Sequence, residues 1–241
     1  MERLPTEEGK KEVPFTSAMS PFQRAAALLY LPVHIFLTPR LLLWAWGGEI
    51  PSVTALNAAW YAVAAALLLI CLWSFFRREF FSLCDYGLEV LPEVLRSYGF
   101  LLLCNMGVAA LLYALGETEN PNNAAIASLA GQDLRMTAAV GVCLAPLAEE
   151  AMFRGGIFGL LRRYSRVAAY AASMLLFALY HVWSYALEDP LAWLYLLQYL
   201  PAGFLLARIY EKTNSLWASI FLHMTVNGVA MLLLAAMGGA L

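Results

Sequence analysis

The chain alternates between long apolar runs and short polar connections. Seven runs approach the roughly 20 apolar residues that cross a bilayer as a helix. They cover about 25–46, 54–76, 98–116, 136–161, 167–185, 191–209 and 216–234. Pro32, Pro39 and Arg40 interrupt the first run and threaten to split it into a short helix and an interfacial piece. Residues 1–24 are polar and read as a retained cytoplasmic tail, because a signal peptide reaches its apolar region sooner and ends at small residues. The expected fold is all-α: a polytopic membrane helix bundle of about seven transmembrane helices.

Two connections are longer than the rest. Residues 77–97 mix charge with Phe80, Phe81 and Tyr86 and contain Pro92, which predicts an interfacial amphipathic stretch. Residues 117–135 contain Asn120-Pro121-Asn122-Asn123, a turn-forming cluster. The expected organisation is a tail (1–24), three accessory spans with their loops (25–135) and a core of four spans (136–241). Charge orients the spans. Lys and Arg concentrate on the cytoplasmic side, and with the N-terminus inside, twelve of the fifteen basic residues fall there. Seven spans, N-terminus in and C-terminus out, is the simplest solution. It reads as a bacterial inner-membrane protein.

Composition agrees. The 241 residues are 62% hydrophobic and 13% charged, with a net charge of −2. Soluble domains are about 45–50% apolar and about 25% charged. The balance excludes a nucleic-acid binder and an ordinary soluble enzyme; the bilayer is the expected partner. Cys71, Cys84, Cys104 and Cys143 are isolated and read as small buried hydrophobes, not a zinc site or a disulfide framework. Trp44, Trp46, Trp73, Trp183 and Trp193 fall near span ends and read as interface anchors.

In so apolar a chain, ionisable groups inside spans mark functional sites. The fourth run carries Glu149, Glu150 and Arg154, the fifth Phe177 and His181, the seventh His223 and Asn227. Glu150 and Arg154 are four apart and share a helix face, so they can pair. Glu149 points about 100° away with no partner on its own helix, as a general base or acid needs. Pro146 is expected to kink the helix and admit water beside it. Phe177 walls the face of His181. His223 and Asn227, also four apart, can donate two hydrogen bonds to an oxyanion. At about 1.5 Å per residue, Glu149 and His181 lie roughly 20 Å from the basic end and His223 and Asn227 about 10–17 Å from the start of their span, so all four can meet near mid-bilayer. His34 reads as a buried, satisfied histidine and Arg40 as a snorkelling side chain. Gly155, Gly156 and Gly159 read as sites of close helix approach.

On these residues the chain resembles the CAAX protease and bacteriocin-processing family of intramembrane proteases. The three family motifs are Glu-Glu-x-x-x-Arg (Glu149, Glu150, Arg154), Phe-x-x-x-His (Phe177, His181) and His-x-x-x-Asn (His223, Asn227), in order on three spans. The resemblance covers about 136–234 and implies hydrolysis of a peptide bond in a membrane-attached protein or peptide. It implies that Glu149 activates water with help from His181, that His223 and Asn227 stabilise the oxyanion, and that Glu150 and Arg154 position Glu149. Glu149, His181 and His223 form a donor set of the kind that binds zinc. The HExxH arrangement is absent, and a metal-free glutamate mechanism is favoured over a zinc one. The alternatives are a non-catalytic immunity or partner protein of the same fold and a proton-coupled transporter; no inverted repeat supports the latter.

Overall fold

The computed structural model describes residues 15–117 and 119–238, with only the backbone at 82 and 85–89. Most of the polar tail and the Tyr86 side chain therefore lie outside the described residues. Among the described residues there are helices and no strands. The helices are α1 (Pro21–Ala45), α2 (Val53–Ala114), α3 (Pro121–Gln132), α4 (Leu134–Leu161), α5 (Arg166–Ala186), α6 (Pro190–Thr213) and α7 (Leu216–Gly238). Seven stretches are long and apolar enough to cross a membrane: α1, the arms Val53–Phe81 and Val90–Ala114 of α2, and α4 to α7. The chain is an integral membrane protein.

Helix starts follow capping chemistry. Ser20 and Gln23 form a reciprocal capping box at α1. Ser52, Asp133 and Ser165 cap α2, α4 and α5. The start of α7 is capped from another helix: Glu79 Oε2 accepts from the Leu216 N–H at 2.6 Å. Asn214 ends α6 in the left-handed conformation, at φ 51°.

The sixty-odd residues of α2 cannot run straight. Tyr61 and Asn105 line one cavity, yet 44 residues of straight helix would part them by about 66 Å. The chain therefore turns back between its arms. Glu79 holds the start of α7, while Glu93 pairs with Arg208 and Lys212 at the end of α6. Both ends of the turn thus lie at one level of the bundle. The second arm begins at Val90 rather than 98, because the helix continues through Pro92.

The connection at 117–135 departs from expectation. Asn120 is an N-cap, accepting from the Asn122 and Asn123 N–H groups, and Pro121 opens the twelve-residue α3. Pro is favoured at the first helical position because its missing N–H has no helical partner there, so the cluster starts a helix instead of making a turn.

Both interrupting prolines act alike. Thr38, before Pro39, donates its N–H to Val33 O, and Ala145, before Pro146, donates to Val140 O. Each bond reaches five residues back, producing π-turns at Val33–Leu37 and Ala139–Leu144. The helix widens to spare the proline ring a clash with the preceding turn. α1 thus stays continuous, and what Pro146 supplies is a wide turn just before the paired glutamates.

α4 is the central helix: 56% of its apolar window is buried, against 17–33% in the other spans. It packs against α1, α2, α5 and α7. A Cβ on Gly155 would collide with Met19 Cε, and one on Gly159 would sit 3.0 Å from Ser17 Oγ, so these glycines do admit a close neighbour. The basic end is laced by ion pairs: Glu211 binds Arg162, Arg166 and the Tyr170 hydroxyl. The cysteines are unpaired, but Cys84 and Cys143 are exposed and the other two only partly covered. Burial was the wrong expectation for them, because in lipid an apolar thiol is at home on the outer surface. Trp44 and Trp73 are exposed, whereas Trp183 lines an internal cavity.

Candidate active site

The α4 sequence puts two carboxylates side by side, and the fold gives them different surroundings. Glu150 and Arg154 are wholly buried and paired, with Oε1 and Nη1 2.9 Å apart. Arg154 Nη2 donates to the Gly203 carbonyl at 3.2 Å, and its guanidinium lies 4.2 Å from the Phe177 ring centre. Glu150 also receives His223 Nδ1 at 2.8 Å and the Ser219 hydroxyl at 2.6 Å. Every oxygen of this carboxylate is occupied, so it is a structural anion. It positions His223 directly.

Glu149 faces the other way, into a cavity of about 650 Å³. Its Oε1 accepts from the Tyr61 hydroxyl at 3.0 Å. Its Oε2 is buried and has no hydrogen-bond partner among the described residues. His181 Nε2 stands 3.7 Å and His223 Nε2 3.9 Å from that oxygen. Both rings are fixed from behind: His181 Nδ1 donates to the Phe177 carbonyl at 2.8 Å, and His223 Nδ1 bonds Glu150. With Nδ1 as donor, the neutral tautomer presents an Nε2 lone pair. Glu149 Oε2 and the Nε2 atoms of the two histidines thus converge on one small volume, which suits a water or another small polar guest.

All four predicted catalytic residues, Glu149, His181, His223 and Asn227, line this cavity, together with Phe177. Asn227 spends one N–H on the Gly141 carbonyl, at 2.7 Å, which orients the amide and leaves its second N–H free of that bond. Glu150 and Arg154 lie behind the wall.

Sequence reasoning missed the aromatic shell. Tyr61 OH lies 2.8 Å from Tyr180 OH, which lies 3.0 Å from His34 Nε2. His34 stacks on Trp60 at 4.7 Å, and Trp60 Nε1 donates to the His34 carbonyl. His34 is buried, as expected, but only half satisfied: Nε2 belongs to a chain that ends on Glu149, while Nδ1 has no hydrogen-bond partner among the described residues. Tyr199 stacks on His181 at 4.6 Å. A mid-span tyrosine is a weak signal, since nothing in sequence tells which face of the helix meets the site. Arg40 is exposed and bonds the Phe36 carbonyl one turn earlier on its own helix.

Zinc suits the donor types, because each histidine has its far nitrogen fixed by an acceptor, as metal-bound histidines do. The placement differs. Among the described residues no three His, Cys, Asp or Glu side chains are grouped to hold a metal ion. The 3.7 and 3.9 Å separations lie slightly beyond the roughly 3.3–3.6 Å edge of a zinc tetrahedron with bonds of about 2.0–2.2 Å.

The fold and site define a polytopic membrane protein with a buried Glu/His/His/Asn centre. Residues 131–229 match the family model described as "Type II CAAX prenyl endopeptidase Rce1-like". The match spans less than half of the chain, from just before α4 into α7, and includes all three motifs. It bears out the resemblance to the CAAX protease and bacteriocin-processing family over this core. Comparison with curated proteins and with solved structures returned no match.

Proposed function

We propose that the chain is an intramembrane endopeptidase that hydrolyses a peptide bond in a membrane-attached protein or peptide, in a bacterial inner membrane, without a metal. The observation that carries the reading is the unpartnered Oε2 of Glu149 facing the Nε2 atoms of His181 and His223.

Tyr61 engages Oε1 and leaves Oε2 as the reacting oxygen. A water donating one hydrogen to Oε2 and the other to His181 Nε2 is held with its lone pair free. Glu149 takes the first proton as the water oxygen attacks the carbonyl carbon. The resulting oxyanion is held by Asn227, which donates its free N–H, and by His223, whose Nε2 donates when the ring is in its imidazolium form. Glu149 then returns the proton to the leaving amine and the C–N bond breaks. Pre-positioned donors supply most of the stabilisation.

The test is membrane proteomics of wild type against Glu149→Gln and His181→Ala. Both variants are expected to insert and accumulate while a precursor builds up uncleaved. Unchanged processing by both would instead indicate a non-catalytic partner protein built on the same fold.

A further inference from the structure

The active-site cavity holds a polar feature that hydrolysis alone does not require. The chain has seven Asn and three Gln. Six of these ten, Asn57, Asn105, Asn122, Asn123, Gln198 and Asn227, line this one cavity, although its lining is less than a seventh of the chain. Amides are costly in a bilayer interior and collect where they have something to bind; Asn57, Asn105, Gln198 and Asn227 lie on spans, and Asn122 and Asn123 continue the lining into α3. Asn105 Oδ1 is buried with no hydrogen-bond partner among the described residues, like the Glu149 oxygen at the inner end. Other amides form a connected track: Asn120 Nδ2 donates to Gln198 Oε1 at 2.7 Å, and Asn122 Nδ2 donates to Tyr199 OH at 3.0 Å. Tyr199 in turn stacks on His181.

The track has a direction and a charge. The cavity runs from Glu149 along α4 to Thr137 and on to Asn122 and Asn123 in α3, away from the end that carries Arg162, Arg166, Arg208 and Lys212. Among the described residues no Lys or Arg lines it, and Glu149 is its single carboxylate. A charged guest side chain would be buried there without a partner, at high cost. Peptide groups each offer one N–H and one C=O, the complement of an amide side chain. Thr137 to Glu149 spans about 18 Å of helix, the length of about five residues of extended chain.

We propose that this amide-lined track binds about five residues of uncharged, extended polypeptide through its backbone, admitted from the face opposite the basic end. By the distribution of Lys and Arg that is the extracytoplasmic face. This rests on the endopeptidase reading for its purpose, but binding is measurable without cleavage.

The test uses the full chain in the Glu149→Gln background, with the four cysteines replaced by alanine. Ser184→Cys places a thiol in the cavity wall, and Arg163→Cys, exposed at the basic end, serves as reference. A membrane-impermeant maleimide is expected to label Ser184→Cys in intact spheroplasts and Arg163→Cys only in inverted vesicles. Acetyl-Ala-Ser-Ala-Ser-Ala-amide is expected to slow labelling of the cavity thiol at least threefold, and its backbone N-methylated counterpart to leave the rate unchanged. Asn105→Leu should weaken that protection by about three- to tenfold, the worth of one hydrogen bond. Labelling of the cavity thiol only in inverted vesicles, equal protection by both peptides, or protection by neither would overturn the inference. Protection in Glu149→Gln with no cleavage by wild type retains the track and overturns the endopeptidase reading; cleavage without protection does the reverse.

Discussion

His223 Nδ1 lies 2.8 Å from Glu150 Oε1, the same oxygen that pairs with Arg154 at 2.9 Å. The second of the two adjacent glutamates is therefore the anchor of the histidine on α7. It ties α4 to α7, while Arg154 extends the tie to α6 through Gly203. One carboxylate is locked so that its neighbour can remain free.

Removing the charge of Glu150 should be far costlier than its size suggests. Glu150→Gln leaves a fully buried guanidinium without its anion, an error worth about 3–5 kcal/mol. Thermal unfolding in detergent should show this loss. Arg154→Met on top of Glu150→Met should be milder than the sum of the single changes, by on the order of 2 kcal/mol. Additive losses would mean that the pair is not coupled.

Tyr61→Phe removes only a hydroxyl, the donor to Glu149 Oε1. A hydrogen bond to a charged group is worth about 1.5–3 kcal/mol, so kcat should fall about tenfold or more while KM stays near wild type. Cleavage kinetics on the precursor identified by proteomics would check this. An equal rise in KM would assign Tyr61 to substrate binding instead.

Gly203 sits where α6 meets α5. A Cβ there would lie 3.0 Å from Met174 Cα, a backbone atom that cannot swing aside. Gly203→Val should cost about 1–3 kcal/mol by overpacking and should lower activity by displacing the carbonyl that holds Arg154. Gly107→Ala, where nothing lies within 4 Å, should be neutral or stabilising by up to about 1 kcal/mol. Comparing the two melting curves separates packing from helix propensity.

Metal removal tests the proposed chemistry. Purified protein dialysed against a strong chelator is expected to keep its activity, and metal analysis to show well under one equivalent. Loss of activity restored by zinc alone would replace the water-activating role of Glu149 with a ligand role for Glu149, His181 and His223.

The sequence by itself determined the number of membrane spans and singled out the polar groups inside them that line the cavity. Both are set by single-residue energetics in lipid: about twenty apolar residues span a bilayer, and an ionisable group inside a span demands a reason. That made Glu149, His181, His223 and Asn227 legible before any contact was known. The capping pattern at Asn120 and Pro121 is also present in the sequence, yet it looks like a turn there, because a short helix lacks the length signal of a span. Tertiary structure alone decided the partners. The Tyr61 bond to Glu149 joins residues 88 apart, and the Asn105 amide reaches the cavity only because α2 folds back on itself. Apolar spans carry almost no facial pattern, since lipid and protein interior are equally apolar, so the sequence could not say which side of each helix turned inward.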